Sequence, residues 1–340
     1  MRPVLLTRTK HIIPIGSFLR NQGAPVERLL QNAKLPSDCL ANPNNLVPSV
    51  SAFEFREIAA RTTGLPNIAL DVTQNFEIED LGEFGAILLR APTLYRLLND
   101  FQRLSHTEST TPDFELRMER DRIWFSYRLG LGRILGHWHS DIYILQLMLK
   151  LVRLASSQWS PDHLCVFSEE NPDRRAAITE LGIGSAEFGC DKTGFAIPRS
   201  MLAMPLTNNS RLPSTMATPK DRHLAPNAPA IDFSGSIRQL LIGYSGDRWL
   251  DIKQVAEIIR SEPRTLQRRL AEERMTFSMI CNDARMEIAT SMLQEANTDM
   301  RNIALRLGYS TQSNFGRAFL QWTGVTPGEF RKLRCQDATS

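Results

Sequence analysis

Two clusters of polar side chains near the C-terminal end of the sequence combine cationic and amide groups at helical spacing. Arginine pairs in bidentate fashion with guanine, and glutamine or asparagine pairs with adenine, at base edges exposed in the major groove. The clusters are Arg264, Gln267 and Arg268, then Gln312, Ser313, Asn314 and Arg317. These residue types therefore predict base readout, whereas a glutamate-rich face would be repelled by phosphate.

The first cluster lies on the second helix of a helix-turn-helix predicted within residues 251–270. Apolar residues recur at helical spacing up to Ile259, and a break then precedes Pro263. Proline suits the first position of a helix, because its missing N–H would have no partner there. Leu266 and Leu270 then face inward, which leaves the cluster on another face.

The second cluster follows a similar break. A short apolar helix face ends before Gly308, which can adopt the positive φ that a turn needs. Ser310 or Thr311 can cap the next helix, in which Phe315 and Phe319 face inward. For one unit alone an ordinary solvated helix face is an equal alternative, but two units in tandem disfavour it.

A continuous helix is predicted over residues 277–295, between the two units. At about 1.5 Å per residue it spans roughly 28 Å, and successive major-groove faces lie about 34 Å apart. A rigid connector of this length can hold two recognition helices in adjacent groove segments on one side of the duplex.

This C-terminal segment resembles the AraC/XylS family of transcription regulators. The resemblance is carried by the sequence blocks at 255–256, 264–270, 303–309, 315–319, 323–327 and 330–331. It implies an all-α C-terminal domain with two helix-turn-helix units over residues 232–335, whose partner is double-stranded DNA.

The resemblance also implies which residues contact DNA. The residues matching the cluster at 264–268 read the first groove segment in that family, and those matching the cluster at 312–317 serve the second. A last helix begins at Thr326-Pro327, and Arg331 or Lys332 can reach phosphate from it. The candidate DNA-binding residues are Arg264, Thr265, Gln267, Arg268, Thr311, Gln312, Ser313, Asn314, Arg317 and Lys332.

Three residues depart from the family pattern. Arg260 stands where glycine is usual, Glu262 stands where serine usually caps the first recognition helix, and Leu320 replaces a usual lysine. A carboxylate can cap a helix and suits its positive end, but it is unfavourable beside phosphate. The departures at Arg260 and Glu262 bear on the DNA contacts of the first unit.

Residues 1–205 are predicted to form a mixed α/β, or α+β, domain. Alternating apolar and polar residues at 114–118 and 123–129 predict a β-hairpin. Helices are predicted at 4–22, 25–33, 51–62, 81–89, 93–104, 141–155 and 173–181, and short strands at 163–168, 188–190 and 194–197. The region also resembles the arabinose-binding-like domain of an AraC-type subfamily, through 81–85, 91–94 and 195–198, which implies effector sensing or dimerisation.

Composition supports a division into two domains. The chain has 340 residues, of which 42% are hydrophobic, a size at which a second domain is expected. Five prolines stand among polar residues at 205–231, which predicts a linker over residues 206–231. Residues 233–335 hold 15 of the 40 Lys and Arg and 11 of the 37 Asp and Glu, so this segment is the basic part of the chain.

The sequence offers little support for an enzyme, a metal site or a cofactor. His137 and His139 lie two residues apart before a helix predicted to start near Ser140, which favours a polar loop or pocket rim over metal ligation. Cys165 is interpreted as a core residue. Trp124, Trp138 and Trp159 can line a cavity, although aromatic residues at such places are usually core. No apolar run could span a membrane or serve as a signal peptide, and the unpaired cysteines fit the reducing cytoplasm.

Two functional hypotheses follow. The first is a sequence-specific transcription factor whose N-terminal domain senses a small molecule or forms a homodimer, with RNA polymerase as a further partner. The second is a DNA-binding protein without a ligand, whose N-terminal domain only dimerises or docks other proteins. An enclosed, largely apolar cavity would favour the first, and a filled core with an exposed apolar patch would favour the second. The effector, the operator and the sign of regulation stay open.

Replacement of Arg317 by alanine is expected to weaken specific DNA binding by about 1–3 kcal/mol and to relax base preference at one position. The reason is the loss of a bidentate contact with a base. Operator titration measures it, and affinity and selectivity equal to those of the parent would show that the second recognition helix is wrongly placed.

Overall fold

Proline and glycine set where many elements of this chain begin and end. The computed structural model describes residues 2–74, 76–131, 136–207, 228–246, 249–294 and 298–337. The chain divides into an N-terminal unit, Leu5–Ala33 with Ser49–Pro229, and a C-terminal unit, Met1–Val4 and Lys34–Pro48 with Ala230–Ser340. Most of the predicted linker, residues 208–227, lies outside the described residues.

Two short segments from the start of the chain are built into the C-terminal unit. The Val4 amide donates to Ser236 Oγ at 3.0 Å, and the Tyr244 hydroxyl donates to the Lys34 carbonyl at 2.6 Å. Gly243 lies so close to the Leu46 carbonyl that a Cβ would approach its oxygen to 2.4 Å. The hydrophobic pattern of the sequence does not distinguish these segments from their neighbours.

The N-terminal part of the chain alternates helices with short strands. Its helices are α1 (Ile13–Asn21), α2 (Val26–Asn32), α3 (Ser49–Thr63), α4 (Ile68–Thr73), α5 (Glu83–Leu88), α6 (Leu94–Leu104), α7 (His137–Arg153) and α8 (Pro172–Glu180). Its strands are β1 (Leu6–Arg8), β2 (Leu46–Pro48), β3 (Pro112–Glu119), β4 (Arg122–Leu129), β5 (Leu164–Val166), β6 (Ala186–Phe188) and β7 (Thr193–Pro198). The predicted mixture of helices and a small sheet is confirmed.

A five-stranded sheet in the order β3-β4-β7-β5-β6 organises this unit. The predicted hairpin is confirmed, with Leu116 of β3 opposite Phe125 of β4, and Phe125 in turn opposite Phe195 of β7. Phe125 and Phe195 are fully buried. Phe101 of α6 packs edge-on against Phe114 of β3, with ring centroids 4.7 Å apart, so helix and sheet share one apolar core.

The helix predicted over residues 4–22 is wrong in its first half. Residues Leu6–Arg8 are extended, and α1 begins only at Ile13, with Pro14 in its first turn. A residue that precedes proline is disfavoured from the α region, and proline cannot donate the backbone bond of a helix interior. The apolar run therefore splits into a strand and a helix.

The C-terminal unit is helical, as predicted. Its helices are α9 (Phe233–Gly243), α10 (Ile252–Ile258), α11 (Pro263–Glu272), α12 (Phe277–Gln294), α13 (Met300–Arg306), α14 (Gln312–Thr323) and α15 (Pro327–Asp337). Two hydrophobic clusters share α12. The first half-core joins α9, α10 and α11 to the first half of α12, and the second half-core joins α13 and α14 to its second half.

Among the helices of the described residues, none is long and apolar enough to cross a membrane.

Replacement of Phe319 by alanine is expected to destabilise the second half-core by about 3–5 kcal/mol, because a fully buried aromatic ring would leave a cavity. Phe319 is 0% exposed and its ring lies 5.7 Å from that of Phe315 and 5.5 Å from that of Phe330. Native-state hydrogen exchange of the full chain should show faster exchange in α13 and α14, while α10 and α11 keep their protection.

The matched control is Leu320→Ala, because Leu320 is the next residue of the same helix and is 45% exposed. It is expected to change stability by less than about 0.5 kcal/mol. Equal exchange rates in all these helices after Phe319→Ala would contradict the division into two half-cores.

Candidate functional site

Helix α11 presents the first polar cluster. It begins at Pro263, as predicted, and Leu266 and Leu270 are fully buried in the first half-core. Arg264, Gln267 and Arg268 are all exposed. The structure therefore brings the three side chains onto the solvent face of one helix, while Thr265 is half-buried beside them.

The turn before α11 explains one departure from the family pattern and corrects the reading of another. Arg260 adopts a left-handed conformation with φ of 54°, which glycine adopts without the cost of about 1–2 kcal/mol that a Cβ imposes. Glu262 occupies the N-cap position, but its side chain accepts no capping hydrogen bond. The expectation that this carboxylate can cap the helix is therefore not met.

The adjacent arginines of α11 have different environments. The Arg269 guanidinium stacks over the Phe233 ring at 3.7 Å and donates to the Arg2 carbonyl, so it holds α11 against α9. Arg268 points to solvent, and its Nε lies 4.0 Å from a Glu272 carboxylate oxygen. An exposed ion pair of this kind is weak, and a phosphate or a base can replace it.

Helix α14 presents the second polar cluster. Thr311 is its N-cap, because its hydroxyl accepts from the Asn314 amide at 3.1 Å. Gln312, Ser313 and Arg317 are exposed and Asn314 is half-buried. The Asn314 side-chain oxygen accepts from the Arg317 guanidinium at 2.7 Å, which fixes that guanidinium on the outer face of the helix.

The two residues of α15 that were predicted to reach phosphate have different environments. Lys332 is exposed. Arg331 is half-buried, and it donates to the Thr298 carbonyl at 2.6 Å, so its guanidinium supports the fold. Of this pair, the described structure leaves Lys332 available for an anion.

A cation-π junction lies between the two helix-turn-helix units, and sequence reasoning missed it. The Arg285 guanidinium of α12 lies 4.4 Å from the Trp249 ring and 5.2 Å from the Tyr309 ring. Its Nε also donates to the Leu307 carbonyl at 3.0 Å. The junction therefore links the segment before α10 to the turn before α14 through the connecting helix.

Gly308 is the local signal that could have revealed this junction. Its φ is 78°, as the turn requires. A Cβ at this position would also lie 2.9 Å from the Trp249 Cβ, which is too close for any side chain. The glycine thus serves the turn and the close approach of Trp249 together.

The residues considered for other chemistry are part of the N-terminal unit. Helix α7 begins at His137, earlier than expected, so both histidines lie in its first turn and are buried. His137 Nδ1 lies 3.6 Å from the Asp141 carboxylate and His139 Nε2 lies 3.6 Å from the Glu57 carboxylate. Burial lowers the pKa of His139 to about 4. The two rings have separate partners.

Cys165 lies near two other groups that sequence reasoning did not connect with it. Ligand atoms of His163, Cys165 and Glu187 lie within 4.8 Å of one another, because β5 and β6 are parallel neighbours with Cys165 opposite Glu187. Burial raises the pKa of the Cys165 thiol to about 11. A thiol with this pKa holds little thiolate at neutral pH, which makes it a poor nucleophile.

Comparison with known families assigns both regions of the chain. A model of the helix-turn-helix domain matches residues 255–333. A model of the arabinose-binding domain of AraC transcription regulators, the N-terminal domain, matches residues 23–206. The second match covers more than half of the chain.

The chain also matches other proteins over almost its whole length. An ornithine utilization regulator of Pseudomonas aeruginosa is 34% identical over 347 aligned positions, which cover 96% of this chain and 98% of the relative. An uncharacterized HTH-type transcriptional regulator of Mycobacterium tuberculosis is 24% identical over 97% of this chain and 96% of its own length. The crystal structure of the transcriptional regulator CdpR from P. aeruginosa aligns with a TM-score of 0.44 and 20% identity, over 94% of this chain and 96% of that one.

Replacement of Arg285 by methionine is expected to loosen the orientation of α14 relative to α11, because the variant loses the cation-π contacts and the bond to the Leu307 carbonyl. On an operator selected from genomic DNA, the parent should bind more tightly when the two operator segments keep their selected distance than when that distance is lengthened by two base pairs. The variant should reduce this preference about tenfold, since the lost contacts amount to about 1–2 kcal/mol.

Arg301→Met is the matched control, because Arg301 is exposed on α13 and the change removes the same charge. It should leave the spacing preference intact. If Arg285→Met retained the parental spacing preference, the junction would not set the relative orientation of the two helix-turn-helix units.

Proposed function

The chain belongs to the AraC family of transcription regulators, and from this premise we propose that α11 and α14 enter two adjacent major-groove segments of an operator. The chain is a helix-turn-helix DNA-binding regulator with an arabinose-binding-like N-terminal domain.

The observation that carries the groove proposal is the arrangement of α12. It joins the two half-cores as one helix of 18 residues, which spans roughly 27 Å at about 1.5 Å per residue. This length is close to the ~34 Å repeat of the major groove. The exposed clusters on α11 and α14 supply the base-reading groups, and Lys332 supplies a phosphate contact.

The N-terminal unit supports the sensing hypothesis over the docking hypothesis. A cavity of about 60 Å³ lies inside this unit, and its surface is mostly apolar although Arg56 and Glu108 are among the residues that line it. Trp124, Trp138 and Trp159 are not among its lining residues; phenylalanines line it instead. We propose that a small-molecule effector occupies it and that the effector shifts the DNA-binding equilibrium through its differential affinity for two states of the chain.

The chain path offers a connection between effector and operator. Helix α3 starts at Ser49, directly after the segment 34–48 that belongs to the C-terminal unit. Phe53 and Arg56 of α3 line the cavity. Displacement of α3 by an effector would therefore be transmitted along the backbone to residues that pack on α9.

The remaining partners are part of the same proposal. Paired operator half-sites favour a homodimer, and control of transcription implies contact with RNA polymerase in the cytoplasm. No catalytic role is proposed, because the relatives are transcription regulators. A ligand-independent protein whose N-terminal domain only dimerises or docks partners is the alternative.

The proposal is tested by selecting genomic DNA fragments on the full chain at two salt concentrations. Phosphate contacts weaken steeply with salt, whereas base contacts preserve selectivity. We expect enrichment of one site that spans two groove segments, retained at the higher salt concentration. Arg317→Ala serves as the matched variant, and it should lose selectivity in one segment only.

Weak, unselective binding that salt abolishes would contradict the proposal. It would mean that the departures from the family pattern at Arg260 and Glu262 prevent specific recognition by the first helix-turn-helix unit.

A further inference from the structure

We propose that the cavity of the N-terminal unit binds a small carboxylate with an apolar body, held at its charged end by Arg56. This inference deepens the sensing role proposed above, on which its regulatory meaning rests. Binding itself is measurable without DNA.

Arg56 is a buried cation that forms no ion pair among the described residues. Its guanidinium lies 5.9 Å from the Phe53 ring and 5.5 Å from the Tyr143 ring. Its side chain is 3% exposed and lines the cavity. Two of its nitrogens donate to main-chain carbonyls, Nη1 to Ala52 at 3.3 Å and Nη2 to His11 at 2.8 Å. Its Nε has no hydrogen-bond partner among the described residues.

The cost of this arrangement points to a ligand. Burial of a charge is unfavourable unless the charge is paired and hydrogen-bonded. Burial lowers the pKa of Arg56 to about 10, so the guanidinium stays charged at neutral pH. Among the described residues no carboxylate lies within ion-pair distance of it, and an anion in the cavity would supply the missing partner.

The carboxylate of Glu108 does not fill this role. It is surrounded by Arg8 Nε at 3.3 Å, Lys10 Nζ at 3.0 Å and His11 Nε2 at 3.5 Å. Burial lowers the pKa of His11, which favours the neutral form of this ring. Two cations therefore already face Glu108, and Arg56 leaves the region with an excess of positive charge.

The rest of the cavity wall selects the body of the ligand. Hydroxyl side chains of serine and threonine contribute to it, but most of its surface is apolar and comes from α5, α6, α7 and the β-hairpin: Phe84, Phe101, Phe114, Leu129, Ile144 and Leu147. A volume of about 60 Å³ equals roughly four to six probe-sized positions at about 10–15 Å³ each. A carboxylate with a short alkyl chain, of the size of butyrate, matches this volume.

The charge pattern disfavours the opposite class of ligand. Glu108 also lines the cavity, but Arg8 and Lys10 already pair with its carboxylate, so an alkylammonium ion would compete with two cations for it and would be repelled by Arg56. A neutral amide of the same shape would fill the apolar part but would leave the guanidinium without a counter-charge. These two molecules are therefore the appropriate comparison probes.

The test measures binding of butyrate, butyramide and butylammonium to the full-length chain at constant ionic strength, by calorimetry and by thermal unfolding. Butyrate should raise the melting temperature in proportion to the logarithm of its concentration, as a ligand of the folded state does. Butyramide should bind at least about tenfold more weakly, since hydrogen bonds to charged groups are worth about 10- to 100-fold in affinity. Butylammonium should not bind.

Arg56→Gln should reduce butyrate affinity to that of butyramide. The matched control is Arg61→Gln, because Arg61 lies on the same helix, is exposed and pairs with Glu57 at 2.8 Å, and does not line the cavity. This control should bind butyrate like the parent.

Ile144→Phe provides a second variant that keeps the charge and fills the cavity. It should abolish the response to butyrate with Arg56 in place, which covers the case in which Arg56→Gln does not fold. Equal affinity for butyrate and butyramide, preference for butylammonium, or unchanged binding by Ile144→Phe would each overturn the inference. If the chain selects its operator normally but does not bind butyrate, this ligand class is rejected and the DNA-binding proposal is unaffected.

Discussion

The DNA-binding surface depends on one constraint, the packing of a single helix against two half-cores. Helix α12 contributes buried residues to both clusters, so the two recognition helices are attached to one rigid element. The Arg285 side chain adds a fixed point at its centre, between the rings of Trp249 and Tyr309. With the orientation set in this way, the proposed reading of two DNA segments requires only short exposed polar faces on α11 and α14.

The N-terminal unit contains a space that a ligand could fill. Its core retains a cavity, and the wall of this cavity includes a buried guanidinium, that of Arg56, whose Nε has no hydrogen-bond partner among the described residues. Such a group is unfavourable for stability and useful for recognition, because buried groups in strained electrostatic environments cluster at functional sites. An occupant that neutralises Arg56 would stabilise one arrangement of α3, and α3 directly follows a segment, Lys34–Pro48, that belongs to the C-terminal unit.

Local signals in the sequence were sufficient for most of the DNA-binding unit. Pro263 and Thr311 mark the starts of the two recognition helices, and buried leucines and phenylalanines at helical spacing define which faces turn inward. The division of labour between Arg268 and Arg269 was not predictable, because it depends on Phe233, a residue distant in the chain. The Arg285 junction was missed for the same reason, since neither of its ring partners lies on the same helix.

The cavity and the burial of Arg56 beside it could not be predicted from the sequence. Arg56 occupies an ordinary position in an amphipathic helix, and only tertiary packing buries it. Of the tryptophans predicted to line a cavity, Trp159 packs against Phe195 at 5.5 Å, whereas Trp138 lines a separate cavity of the same unit. Footprinting of the full chain on its selected operator with hydroxyl radicals tests the central claim most directly. The account predicts two protected patches on one face of the duplex, about 10 base pairs apart, and a single patch would contradict it.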